Sequence, residues 1–237
     1  HRHYYQKYDH PPFVPNWEEK IENFEQLNLK PEILDNISSL DYISCTGIIS
    51  MAIKPIIMER NVFIQSPFHF SQLISYIIGI LQRINTEDQT IQALILLPIE
   101  NIFFQVEDII ASLSHGMENF HFCFIAENFS VEQRQKEIEK HPHIIISTPN
   151  VLFQLYEQNI FRCESLKIIC LDSLFINCSS DQVLAILNSL EIQKIVILDN
   201  TKCTYHFAQD CVKDPIQIHI RNEISFEKAN LHQFYVN

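Results

Sequence analysis

Val62-Phe63-Ile64-Gln65-Ser66-Pro67-Phe68-His69-Phe70-Ser71-Gln72-Leu73-Ile74-Ser75-Tyr76-Ile77-Ile78-Gly79-Ile80-Leu81 is the stretch on which the fold turns. Its first four residues form a short apolar run, and Ser66-Pro67 breaks it. Beyond the break Leu73, Ile74, Ile77, Ile78 and Leu81 recur at helical spacing, which predicts a strand over 62–65 and a helix over 71–84. The same alternation continues outward. Strands are expected at Ala93–Leu97, Phe122–Ile125, Ile144–Ser147, Ile168–Leu171, Ile195–Leu198 and Ile216–Ile220, and helical patterns at Pro98–Leu113 and Asp181–Leu190. The runs are continuously apolar, as strands covered on both faces are. An α/β fold follows, a doubly wound parallel sheet with helices on both faces. Such sheets bind ligands at the carboxyl ends of their strands. Chemistry is therefore expected just after Gln65, Leu97, Ser147, Leu171 and Leu198.

Composition narrows the classes of function. Of 237 residues, 46% are hydrophobic and 19% charged, the profile of a soluble globular protein. The apolar run Leu73–Leu81 is interrupted by Ser75 and Gly79 and is too short to cross a bilayer. The opening residues have no secretory pattern, so no membrane association is expected. The 7 cysteines are scattered without a C-x-x-C pair, which argues against a zinc site and a disulfide framework. An intracellular location is expected, cytoplasmic rather than nuclear. The net charge of −12 opposes non-specific nucleic-acid binding, which Lys and Arg drive. There are only 3 glycines where ordinary usage gives about sixteen, too few for a loop that wraps phosphate with backbone N–H groups. His1, His3 and His10 lie in an aperiodic, proline-containing opening stretch read as a polar arm, not as a metal site. Val131–Lys140 reads as a solvated helix face.

Several segments carry a resemblance: NWEEKIENFEQLNLKPEIL (16–34), AIKPIIMERNVFIQSP (52–67), ILQRI (80–84), QALILLP (92–98), HPHIIISTPNVLFQL (141–155), LKIICLD (166–172), VKDPIQIHI (212–220) and LHQFYVN (231–237). Together they resemble the first RecA-like domain of the DEAD-box RNA helicase family, and within it the initiation factor 4A group. The resemblance implies an extended arm over 1–15 and a RecA-like domain over 16–222. It implies the start of a linker over 223–237, leading to a second RecA-like domain.

Measured against the family, the ligand-handling positions depart. Where the family holds phosphate with G-x-G-K-T, this chain has Ser66-Pro67-Phe68-His69-Phe70-Ser71-Gln72-Leu73. Gln72 stands for the lysine, Leu73 for the Mg²⁺-holding hydroxyl, and His69 and Ser71 for glycines. The acidic box reads Asp172-Ser173-Leu174-Phe175, with Ser173 in place of the glutamate that polarises water. Asp172 has two readings, a Mg²⁺ ligand or a strand-end carboxylate capping the next turn, and the second is preferred. The SAT stretch is Asp199-Asn200-Thr201, in which Thr201 alone matches. Ile49 replaces the adenine-reading glutamine. Phe24 matches the aromatic that stacks on adenine, yet its spacing with Leu27 suits core packing equally. Of the RNA-contacting stretches, Pro98-Ile99-Glu100-Asn101-Ile102-Phe103 puts Glu100 at an arginine position. Ala126-Glu127 replaces a glycine pair, and Thr148-Pro149-Asn150-Val151 lacks its arginine. Thr148 and Pro149 are left as candidates for weak RNA contact.

These departures lead to the expectation of a non-enzyme, a pseudo-helicase with no catalytic residues, no metal and no cofactor. In this reading Phe24, Gln72, Leu73, Asp172 and Thr201 are vestigial nucleotide positions. The chain is then expected to bind protein in a translation or RNA-processing assembly. A helical-repeat scaffold is the partner the resemblance implies, and RNA binding is expected to be weak or absent. Phe68, Phe70, Leu73, Phe103 and Phe104 form an interface patch if exposed, and fill a vacated cleft if not. The alternatives are a residual RNA-binding domain and, less favoured, an active ATP-dependent helicase half.

Overall fold

The computed structural model describes residues 13–172, 181–198, 208–209 and 211–220. Residues 1–12 of the expected arm, the linker, Ser173, Leu174, Phe175 and Asp199-Asn200-Thr201 lie outside the described residues. Each apolar run forms a strand: β1 (Val62–Gln65), β2 (Ala93–Leu96), β3 (Phe122–Phe124), β4 (Ile144–Ser147), β5 (Ile168–Asp172), β6 (Gln193–Leu198) and β7 (Ile216–His219). They join in one sheet of order β3-β4-β2-β5-β6-β1-β7. Every pairing is parallel, with Val62 opposite Ile195 and Ile216, and Asp172 opposite Ile197. β3 and β7 are the edges, and β6 separates β1 from β5.

Alternation along the strands divides the core in two, because successive side chains point to opposite faces. Val62, Ile64, Ile95, Ile146, Cys170 and Ile197 enter one cluster, and Phe63, Leu94, Ile145, Leu171 and Val196 enter the other. Covering the first face are α1 (Pro31–Ser39), α2 (Gly47–Ile57), α3 (His69–Arg83) and α4 (Phe103–Leu113). On the second lie α6 (Pro149–Glu157) and α7 (Asp181–Ser189), with Ile138 of α5 (Val131–Glu139) packed beside them. Two-sided cover is why the central strands carry no polar alternation, whereas edge strand β7 alternates as Ile-Gln-Ile-His. α2 and α3 approach closely at Gly79, where an added Cβ would lie 2.4 Å from Ile56 Cγ2. α5 opens on a capping box, in which Ser130 Oγ accepts the Gln133 N–H and Gln133 Oε1 accepts the Ser130 N–H.

Two expectations about helices are corrected. The pattern over Pro98–Leu113 does not form one helix. Ile99 is extended (φ −145°, ψ 150°), a 3₁₀ turn spans Glu100–Ile102, and α4 begins at Phe103. A residue before proline avoids the helical region, which keeps the chain extended as it leaves β2. The α5 face is not wholly solvated either. Arg134 is buried, and its guanidinium donates to the Glu127 carbonyl at 3.0 Å.

The segment before α1 is part of the fold. Asn16 pairs with β7, its N–H donating to the Gln217 carbonyl (3.1 Å) and its Oδ1 accepting the Gln217 N–H (2.7 Å). Ile21, Phe24, Leu27 and Leu29 join the first core. The Lys30 ammonium reaches the carbonyls of Leu81 (2.9 Å) and Ile84 at the end of α3, where cations are favoured.

Candidate functional site at the carboxyl ends of the strands

β1 ends at Gln65, and Ser66-Pro67-Phe68 carries the chain into α3. The loop is held by its own groups: Ser66 Oγ accepts the Phe68 N–H (3.1 Å), and the Gln72 side-chain amide donates to the Ser66 carbonyl (2.8 Å). Gln72 is buried, and Leu73 points into the core without exposure.

Two strands away, Asp172 ends β5 with its carboxylate fully buried. The Tyr76 hydroxyl, buried about two turns into α3, donates to Asp172 Oδ2 at 3.2 Å. His69, the first residue of α3, places Nε2 3.4 Å from the same oxygen while its side chain stays 43% exposed. The hydrogen bond to Asp172 raises the His69 pKa against the opposing effect of burial. Burial, reinforced by the Asp172 charge, pushes the Tyr76 hydroxyl well above its usual range. The site is a buried carboxylate bridged from α3 by one phenol and one solvent-facing imidazole. Chemically it can hold a proton between His69 and Asp172 and offer a cation to the loop.

A second cluster lies at the ends of β2, β3 and β4. Glu127 Oε1 accepts from the Thr148 hydroxyl (3.0 Å) and the Asn150 amide (3.3 Å) at the start of α6. The Glu127 N–H donates to Glu100 Oε1 at 2.5 Å. A carboxylate thus takes up the donors at this helix start, which favours negative charge.

The aromatic candidates separate. Phe68 is half-buried, and Phe70 is half-buried against Tyr42, with ring centroids 5.7 Å apart. Phe104 is 69% exposed, whereas Phe103 is 3% exposed. Of the two alternatives left open, exposed patch or buried side chain, Phe103 and Leu73 take the buried one and Phe104 the exposed one. Phe24 and Ile49 lie in the core as well. Pro149 is buried as the first residue of α6, a position proline suits. Sequence reasoning missed Tyr76 as the partner of Asp172. The available signal was a phenol inside an otherwise apolar helix run, because a buried tyrosine hydroxyl needs an acceptor.

A family built on this fold implies ATP and Mg²⁺, and the loop after β1 does not fit them in the family's manner. Gln72 spends its amide on Ser66, and Leu73 offers no oxygen to a cation. Among the described residues no three His, Cys, Asp or Glu side chains gather as a metal-binding group. A depression of about 660 Å³ lies at the opposite, amino-terminal end of the sheet, lined by Glu59, Arg83, Lys167, Glu191 and Gln193 among others. The Arg83–Glu59 ion pair crosses it at 3.1 Å.

Comparison with known proteins agrees with this layout. The chain is 27% identical over 229 residues to "ATP-dependent RNA helicase eIF4A" of Mycosarcoma maydis, covering 93% of this chain and 55% of that protein. It is 25% identical over 228 residues to "Eukaryotic initiation factor 4A" of Drosophila melanogaster, covering 93% and 56%. The chain thus spans about half the length of the curated relatives it matches. S. cerevisiae Dbp5 bound to Gle1 and IP6 superimposes with a TM-score of 0.76 at 18% identity, over 86% of this chain and 54% of that one. Dbp5 bound to RNA and ADP BeF3 gives 0.72 at 18% identity, over 85% and 52%. The fold is RecA-like. The expectation of a non-enzyme, drawn from Gln72, Leu73 and Ser173, is corrected by these matches, among which the Mycosarcoma maydis relative is named an ATP-dependent RNA helicase. Residues 46–200, running from the start of α2 past the end of β6, match the DEAD/DEAH box helicase model, and the chain belongs to that family.

Proposed function

We propose that this chain is the first RecA-like half of a helicase-family protein that works in a cytoplasmic translation or RNA-processing assembly, held there by protein contact. The observation that carries this is the pair Ile99 and Phe104, 48% and 69% exposed at the carboxyl-end face beside Glu100 and Glu127. Exposed apolar surface rimmed by polar groups marks interaction sites. The relative S. cerevisiae Dbp5 has been seen with Gle1 and with Nup159, which supports a protein partner without naming this one. A helical-repeat scaffold is the type of partner to seek first. A photo-crosslinking amino acid at position 104, in the whole protein and its native cells, tests the reading. Adducts to proteins of an RNA-related assembly are expected, and adducts to RNA alone would overturn it.

A second reading is ATP-driven RNA remodelling by the complete protein. Asp172, set at the end of β5 with His69 and Tyr76 upon it, favours it. Under this reading RNA-stimulated ATP hydrolysis by the whole protein falls to background in Asp172→Asn. Hydrolysis indifferent to that change would exclude Asp172 from the reaction.

A further inference from the structure

The stretch from Arg83 to Arg134 contains no lysine or arginine between its ends, while it contains 8 aspartates and glutamates. It runs through β2, α4 and β3, whose strands flank β4 at the β3 end of the sheet. At the carboxyl ends of those strands, Ile99 and Phe104 stand on either side of the 3₁₀ turn. The Phe104 ring rests on Phe124 of edge strand β3, with centroids 6.4 Å apart, and Phe124 on Phe129 at 6.1 Å. Asp108 follows Phe104 by one helical turn and is also exposed. Glu100 and Glu127 are joined through the Glu127 N–H, and Thr148 and Asn150 fix the Glu127 carboxylate. Of the nearby cations on α5, Arg134 is buried on the Glu127 carbonyl and Lys140 is paired with Glu137 at 2.7 Å, while Lys136 stands on the exposed side.

An aromatic held by its neighbours and carboxylates held by hydrogen bonds lose little freedom on binding. Their charge selects the occupant, since opposite potentials meet at interfaces and like charges are rejected. The negative charge of Glu100, Glu127 and Asp108 disfavours a nucleic-acid backbone and an acidic peptide alike. We propose that this surface docks a protein segment in which arginine or lysine side chains flank an aliphatic or aromatic residue. The apolar residue covers Phe104 and Ile99, and the cations meet Glu100, Glu127 and Asp108. This rests on the reading that a protein partner holds the domain, and it supplies that partner's chemistry.

The test uses the whole protein and a fluorescent peptide of alternating arginine and leucine. A glutamine–leucine peptide and oligouridine serve as comparisons, and binding is read by anisotropy. The arginine peptide is expected to bind, more weakly as salt rises, while the glutamine peptide and oligouridine do not bind at this face. Phe104→Ser and Glu100→Lys should each weaken it about tenfold, as loss of an interface anchor or reversal of a charge does. Phe104 is exposed and Glu100 half-buried, and thermal melting verifies that each variant is folded. Affinity unmoved by either variant would overturn the proposal, as would oligouridine binding that Phe104→Ser abolishes. Protein adducts at position 104 with no peptide effect would reject the stated chemistry alone. RNA adducts would reject the protein-contact reading with it.

Discussion

Asp172, His69 and Tyr76 form a polar group that no stretch of sequence spells out. A carboxylate at the end of an apolar strand was legible, because an aspartate after Ile-Ile-Cys-Leu ends the run. Its phenolic partner was not, since 96 positions separate Tyr76 from Asp172 and only the β1–β6–β5 order brings them together. The folded protein raises the His69 pKa through its bond to Asp172. That contribution to stability is complete below the unfolded value, about 6.5, and is lost as pH rises through the higher folded value. Since the imidazole is partly exposed, the effect is modest. His69→Ala should therefore lower the melting temperature most near about pH 5.5, with the gap narrowing by about pH 8.5. A gap that stays constant across that range would show that the imidazolium–carboxylate pair adds nothing to folding.

Among the elements, the strands were the most legible and the helix starts the least. Short runs of β-branched and aromatic residues bounded by polar ones leave few alternatives, and strand ends shifted by a residue or two. The β2–α4 connection misled because hydrophobic spacing alone does not register the extended residue at Ile99. The α4 pattern did contain the answer to Phe103 and Phe104. Val106, Ile110 and Leu113 define the buried stripe, and Phe103 lies three residues before it, while Phe104 falls in line with exposed Asp108 and Ala111. The contact between α2 and α3 gives a prediction at this scale. Gly79→Ala sets a methyl 2.4 Å from Ile56 Cγ2 and 2.9 Å from its Cβ, so the helices must separate. A loss of about 1–3 kcal/mol in denaturant unfolding is expected, the usual cost of overpacking. Pairing Gly79→Ala with Ile56→Ala should recover part of the loss, and a double variant no better than the sum of the two would place the strain elsewhere.

At the scale of the whole molecule the net charge of −12 works against compactness, since like charges repel across the folded surface. Raising ionic strength from about 0.02 to about 0.2 M should raise the melting temperature, because screening shortens the reach of that repulsion. A fall instead would mean that the few ion pairs, such as Arg83–Glu59, outweigh the excess charge. The cation-free span between Arg83 and Arg134 was readable as letters. Its gathering at the β3 end of the sheet was not, because that depends on β2 and β3 lying on either side of β4.

Asn16 on β7 and Lys30 on the end of α3 bear on where this domain can be cut. The family match begins at residue 46 and ends at 200, whereas the folded body begins earlier and ends later. A fragment trimmed to the match would strip Ile21, Phe24, Leu27, Ile33 and Ile37 from the first core. It would also leave β1 as a bare sheet edge in place of β7, and such edges recruit other chains. The stretch that the family model matches and the unit of folding differ here, although similarity to the curated relatives runs over 93% of the chain. A piece cut to the former should aggregate where one spanning 13–220 stays monodisperse.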